Sequence, residues 1–304
     1  MTTFSRRSFL KQTFALGAGV VGVSLLCEEG LAGTLSALPR RKSTRPLMGV
    51  CTGLNNREIA EKAGCEFIEE GVSRFLVPDK TEAEFDALLG KLSENKLKVL
   101  SCNGFIPATL RLTGVEVNHA EALAWAETAL RRAGRAGVNY IVFGSGGARK
   151  IPEGFGREEA RDQFVSLCKA MGPMAKKAGV TIVIEPLNRT ETNFINSVLE
   201  GADIVKRVNH PNIRLLADIY HMMRESEGPE SILKAGKLLR HCHIAEKESR
   251  SAPGVKGDDF TPFFAALQKI GYQGAISIES GWKDFGAEIG PAIETMRKQW
   301  ALLP

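Results

Sequence analysis

From Leu47 onward, short apolar runs alternate with longer amphipathic stretches. The runs Leu47–Cys51, Phe67–Val72, Lys98–Asn103, Tyr140–Phe143, Thr181–Glu185, Arg214–Asp218, His241–Ala245 and Ala275–Glu279 predict strands. Between and after them, helical patterning predicts helices over Glu58–Ala63, Glu82–Asn95, Asn118–Ala136, Arg157–Ala178, Val198–Val208, Pro229–Leu239, Phe263–Ile270 and Ala287–Leu302. In the third of these, Ala122, Trp125, Ala126, Ala129 and Leu130 recur at the spacing of one helix face. Gly64, Gly137, Gly179 and Gly271 stand just past predicted helices, where a left-handed cap suits glycine.

Eight strands alternating with eight helices predict an α/β protein, a single (β/α)8 barrel over residues 47–304. A doubly wound open sheet would carry a glycine-rich phosphate turn after its first strand, and Gly49-Val50-Cys51-Thr52-Gly53 does not form one. Gly144-Ser145-Gly146-Gly147 follows the fourth strand and lacks the lysine of a phosphate loop. It is expected to be a loop that lets backbone approach a substrate, or a plain turn. With no dedicated phosphate cradle, a non-phosphorylated ligand is favoured.

The 304 residues are 43% hydrophobic and 25% charged, ordinary globular composition. Arg6, Arg7 and Lys11 account for three of the five net positive charges, leaving about +2 on the rest of the chain. A near-neutral body with no basic run argues against a nucleic-acid partner. Ser5-Arg6-Arg7-Ser8-Phe9-Leu10-Lys11, followed by the soft apolar run Phe14–Leu26, has the pattern of a twin-arginine signal. That run is short and weakly apolar for a span, which needs about 20 apolar residues. Residues 1–32 are accordingly expected to address the chain to the twin-arginine export machinery and the periplasm, with 33–46 as a Ser-, Pro-, Arg- and Lys-rich linker. A leader left uncleaved would tether it to the membrane. The cysteines beyond it, Cys51, Cys65, Cys102, Cys168 and Cys242, include no Cys-x-x-Cys pair and are expected to be buried thiols.

In a barrel of this kind the active site lies at the C-terminal ends of the strands. Four of those ends carry ionisable residues after apolar neighbours: Glu185, Asp218, His243 and Glu279. Each would be poorly solvated there unless paired or bound to a metal. Three carboxylates and one imidazole form a hard, oxygen-rich set suited to one divalent ion, Mn2+ first, with Mg2+, Co2+ or Zn2+ as alternatives. His241 lies two residues before His243 and shares its face, so it is expected in a second layer or the core. Glu70 is a further candidate pocket residue, and Phe105 and Trp282 are candidate apolar walls.

The segments Ile184-Glu185-Pro186-Leu187-Asn188-Arg189-x-Glu191-Thr192-Asn193, Asp218-x-x-His221-Met222, His241-x-His243 and Ile278-Glu279, in this order, resemble the xylose-isomerase-like barrel superfamily. Within it they are most similar to the ketose 3-epimerase branch, over about residues 45 to 300. The resemblance implies that Glu185, Asp218, His243 and Glu279 are metal ligands. It implies that Glu185 and Glu279 are also the catalytic pair that moves a proton on opposite faces of one substrate carbon. Glu191, His221 and Arg250 then correspond to substrate-binding residues, although Arg250 stands one residue later than the epimerase spacing. Relatives that pair through barrel loops make a homodimer a further expectation.

The chemistry accounts for these residue types. A hydrogen beside a ketone is too weakly acidic for a bare carboxylate, and a Lewis acid stabilises the enediolate that its removal creates. Glu185 as base and Glu279 as acid from the other face give epimerisation. Return of the proton to the adjoining carbon gives aldose–ketose isomerisation with the same residues. The reading is therefore a metal-dependent sugar isomerase or epimerase acting on a ketose or keto-sugar. The alternative is a metal-dependent lyase or dehydratase acting on a 3-oxo-sugar or glycoside in the same fold. An endonuclease IV-like site would need more histidines than the five present.

Overall fold

The computed structural model describes residues 45–92 and 97–303. The expected signal segment, residues 1–32, lies outside the described residues, as does all but the end of the expected linker. Eight parallel strands close into a barrel in chain order: β1 (Leu47–Cys51), β2 (Ile68–Gly71), β3 (Val99–Asn103), β4 (Tyr140–Phe143), β5 (Thr181–Ile184), β6 (Ile213–Asp218), β7 (Leu239–Ile244) and β8 (Ala275–Ile278). Closure is direct, with β1 pairing β8 from Leu47↔Ala275 to Val50↔Ile278. No helix among the described residues is long and apolar enough to cross a membrane.

The outer helices pack on the barrel through apolar stripes. In His119–Ala136 the stripe Ala122, Ala126, Ala129, Leu130 and Ala133 is buried, and small residues there let the helix lie close to its neighbour Arg157–Ala178. Both helices end in a left-handed glycine, Gly137 at φ 72° and Gly179 at φ 71°.

The helices differ from the sequence expectation in places with local causes. Pro229–Leu239 resolves into Glu230–Ala235 followed by a 3-10 turn, Gly236–Leu238, because Gly236 takes a conformation outside the helical region. The helix after Thr81 runs Glu82–Gly90, opened by a capping box between Thr81 and Glu84. Short helices also follow β2 (Val72–Phe75), β4 (Gly146–Arg149) and β6 (Ile219–Arg224). These helices, four to six residues long, are too short for apolar periodicity to reveal. The second of them occupies the glycine-rich stretch expected as a loop or plain turn.

Side chains alternate along each strand, so one set fills the barrel and the other meets the helices. The outward set joins the main core, whereas inward Val142, Val183 and Leu216 form a small separate apolar cluster. Inward Glu69, Ser101, His241 and Ser277 are buried beside it. The barrel interior is thus part polar, directly beneath the strand ends. The five described cysteines are free thiols; all but Cys51 are buried.

Candidate metal centre and substrate site

The four strand-end residues converge. Glu185 just past β5, Asp218 at the end of β6, His243 on β7 and Glu279 just past β8 each offer a ligand atom, all within 4.8 Å of one another. Two donors on opposite sides of an ion stand about 4–5 Å apart at ordinary metal–ligand distances, so one ion spans the group. His243 Nδ1 lies 2.9 Å from Glu185 Oε1 and 3.1 Å from Glu279 Oε2. Glu185 Oε1 is buried and makes no hydrogen bond. An uncompensated carboxylate oxygen among oxygen and nitrogen donors is what a hard divalent cation satisfies. The residues present fit such an ion.

Local structure aims each group. Asp218 caps the short helix Ile219–Arg224, its Oδ1 accepting from the backbone N–H of Tyr220 at 2.8 Å and of His221 at 3.3 Å, which turns Oδ2 toward the cluster. Asn103 at the end of β3 donates to Glu279 Oε1 at 3.1 Å. Arg149 is wholly buried and donates to the carbonyls of Phe143 (3.1 Å), Glu185 (2.8 Å) and Phe194 (3.2 Å), tying the ends of β4 and β5 together. Burial, against a lift from Glu185, brings the Arg149 guanidinium down to about 10.

Burial raises the Glu185 and Asp218 carboxyls above their ordinary values. It would raise Glu279 as well, but His243 and Arg250 outweigh it and leave Glu279 lowered. For His243 the downward push of burial is overcome by Glu69 and Glu279, which hold the imidazole well above its usual value. The environments of Glu185 and Glu279 therefore differ in sign.

The structure also brings Glu191, His221 and Arg250 to this cluster. His221 is buried, and its Nδ1 accepts from the Asn188 side-chain amide at 2.8 Å and the Asn188 backbone at 3.2 Å. The ring proton is thereby placed on Nε2, a buried donor with no hydrogen-bond partner, 3.4 Å from Asp218 Oδ2. Burial lowers the His221 imidazole, which favours its neutral form. Arg250 reaches in from the loop after β7 despite its displaced position in sequence. It pairs closely with Glu279, lies 3.5 Å from Asp218 and 3.6 Å from Glu191, and stands over the Tyr220 ring at 4.7 Å. Ser249 and Arg250 both take positive φ, 60° and 50°, unusual for residues other than glycine.

Two residues missed at the level of sequence support this arrangement. Glu246, fully buried, accepts backbone N–H groups from Gly254 (2.8 Å), Gly257 (2.9 Å) and Lys256, folding the loop that presents Arg250. Glu69 sits inside the barrel beneath His243; alternation along β2 puts it on the face opposite Glu70 without telling which of the two faces inward. Glu70, the expected pocket residue, faces the other way. It accepts from the backbone N–H of Leu54 and Gly71 and from Arg74. Phe105 is likewise not an exposed wall: it is fully buried, edge-on to Phe143 at 5.2 Å. Trp282 is half-buried against Phe285. His241 lies in the layer below the cluster, as its spacing from His243 predicts.

This fold and cluster of candidate ligands point to a class. The chain belongs to the Xylose isomerase-like TIM barrel family, whose model matches residues 57–300. It is similar to the L-ribulose 3-epimerase of Methylomonas sp. (strain DH-1), 39% identical over 154 residues that cover 50% of this chain and 50% of that protein. It is 31% identical to the D-psicose 3-epimerase of Ruminiclostridium cellulolyticum over 137 residues, 45% of this chain and 46% of the other. These matches span about half the length of the curated relatives. Among solved structures, a D-allulose 3-epimerase from Methylomonas sp. superposes with a TM-score of 0.70 at 26% identity, covering 84% of this chain and 98% of that one. The molecule is a sugar epimerase-like barrel with a candidate buried metal site.

Proposed function

We propose that the chain is a divalent-metal-dependent isomerase that epimerises a ketose or keto-sugar, with Mn2+ as the fitting ion. One observation carries this reading: Glu185 and Glu279, three strands apart around the ring, converge on His243 Nδ1 at 2.9 and 3.1 Å. The similarity to ketose 3-epimerases supports it. When bound, the ion supplies Lewis-acid stabilisation to the enediolate oxygens.

The chain's own residues do the rest. Glu185 takes the proton from the carbon beside the ketone, and the C–H electron pair becomes the enediolate double bond. Glu279, entering the step protonated, gives that proton to the opposite face and re-forms the ketone with inverted configuration at that carbon. Glu185 is left protonated and Glu279 a carboxylate. From the other epimer the same pair works in reverse, Glu279 taking the proton and Glu185 giving one. The Nε2 proton of His221 and the Arg250 guanidinium bind substrate oxygens, and Glu191 accepts from a substrate hydroxyl. Glu185→Gln should abolish exchange of the substrate carbon-bound hydrogen with deuterated solvent in a ketose and keto-glycoside screen. Unchanged exchange rules Glu185 out as the base. An unsaturated product, lighter by water, replaces epimerisation with elimination.

We further propose that residues 1–32 direct export by the twin-arginine route, from the Ser5–Lys11 pattern and the soft apolar run behind it. Changing Arg6 and Arg7 together to lysine should hold the protein in the cytoplasm; continued export removes this reading.

A further inference from the structure

We infer that Glu69 is the positioning residue that makes His243 a metal ligand: its carboxylate accepts the Nε2 proton of His243 and so leaves the Nδ1 lone pair facing Glu185, Asp218 and Glu279. This rests on the metal site proposed above.

An imidazole bound to a metal is neutral and carries one ring proton, so the nitrogen that ligates must be the one without it. The proton's location is set by the partner of the opposite nitrogen. Glu69 Oε1 lies 2.9 Å from His243 Nε2, and both side chains are completely buried. Neither atom completes a hydrogen bond as the side chains lie, with each other or with any other group, while the opposite ring nitrogen, Nδ1, stands at 3.1 Å from Glu279 Oε2, the contact an ion would replace. Two orphaned polar atoms 2.9 Å apart, in a site closed to water, are both satisfied by one shared proton.

Glu69 is held for the task. Its other oxygen, Oε2, accepts from Ser101 Oγ at 2.6 Å and Ser277 Oγ at 2.9 Å, and stands 2.8 Å from His241 Nε2. These three groups come from β3, β8 and β7, so the carboxylate is braced from across the barrel. With Oε2 fully engaged, Oε1 is what remains for His243. The same brace disposes of the His-x-His ambiguity: His241 spends its Nε2 on Glu69, one layer below the ligands.

A second cation is the competing occupant of this space, because Cys51, Glu69 and His243 also bring donor atoms within 4.8 Å of one another. A proton is the simpler occupant, since the atoms lie 2.9 Å apart and a small rotation of the Glu69 carboxylate brings them into line.

The test is a double-mutant cycle read by Mn2+ titration of the metal-free full-length protein, using calorimetry and the Mn2+ electron paramagnetic resonance signal. Glu69→Gln should weaken Mn2+ about 10- to 100-fold. The same change on a His243→Asn background should weaken it little further, since the histidine through which it acts is gone. Equal losses in both backgrounds, or no loss in the first, overturn the inference. So does a wild-type stoichiometry of two Zn2+ that falls to one in Cys51→Ala, which would put a metal where the proton is proposed. Should Glu69→Gln not fold, Ser277→Ala removes one brace only and enters the same cycle, with a smaller loss expected on the wild-type background alone. Asp218→Asn separates this from the reading beneath it. If Asp218→Asn abolishes Mn2+ binding while Glu69→Gln leaves it intact, only the role of Glu69 fails. If wild type binds no divalent metal, the metal-site reading fails and takes this inference with it.

Discussion

Gly144 and Glu185 compete for one space: a Cβ built on Gly144, just past β4, would overlap Oε2 of Glu185, just past β5. The carboxylate can occupy its place at the rim only because the neighbouring strand ends in a residue without a side chain. Gly144→Ala should therefore push the Glu185 carboxylate, the far end of a flexible side chain, out of its place while costing little stability. Mn2+ affinity and turnover should both fall, out of proportion to the loss of thermal stability. Calorimetric titration alongside thermal melting checks this, and unchanged Mn2+ affinity would show that Glu185 does not need the space.

Metal removal should be visible as lost stability. An ion that binds only the folded state at about 100 times its dissociation constant adds about 2.7 kcal/mol. For a domain of this size that corresponds to roughly 5–10 °C in melting temperature. Chelation should lower the melting temperature by that order and Mn2+ should restore it. Asp218→Asn should abolish the response; a mutant that still responds to Mn2+ places the ion elsewhere.

Arg149 has no role in proton transfer yet ties the rim together. Arg149→Leu would leave the carbonyls of Phe143, Glu185 and Phe194 without their buried donor. Unsatisfied buried groups cost about 1–3 kcal/mol each, so a loss of about 2–4 kcal/mol is expected after partial relaxation. Urea denaturation measures it directly. A loss within 0–0.5 kcal/mol, roughly the range of a surface substitution, would contradict this account.

Glu82 supplies a pH-dependent tie on the outside of the barrel. Hydrogen bonds from Arg131 and Arg132 hold its carboxyl down to about 2 from the ordinary value of 4.5. A depressed folded-state value means that the contribution is complete above 4.5 and is lost as pH falls toward 2. Glu82→Gln should lower the melting temperature modestly at neutral pH, with a gap that narrows through that window. Parallel melts of the two proteins across the acid range decide it; a gap independent of pH would assign the effect to lost packing.

Much of the barrel was legible along the chain because its signals are local. The Tyr140–Phe143 strand and the Arg157–Ala178 and Val198–Val208 helices occur with the bounds that their apolar spacing predicts. The helices also stop at signals a sequence displays, such as Gly179. The short helices Val72–Phe75 and Gly146–Arg149 were not legible, since four residues are too few to show a period. Phe105 looked like a rim residue from its distance past β3, but the chain folds back and buries it against Phe143.

For the site, the sequence alone determined which residue types stand at the ends of β5 to β8. A residue's place on a strand is a property of its own neighbours. It also proposed Arg250, whose backbone turns through two left-handed residues before the side chain reaches Glu279. Only the tertiary structure decided what surrounds these groups. Glu69 lies more than a hundred residues before His243 in the chain and yet meets its Nε2, because barrel closure places β2 and β7 either side of β1 and β8. Glu69 and Glu70 are chemically identical neighbours, and the pleat turned one toward His243 and the other toward Leu54 and Arg74. That choice rests on the register of β2 against β3, where the pairing shifts between Ile68 and Glu69. Register is a relation between strands, and no single stretch of sequence contains it.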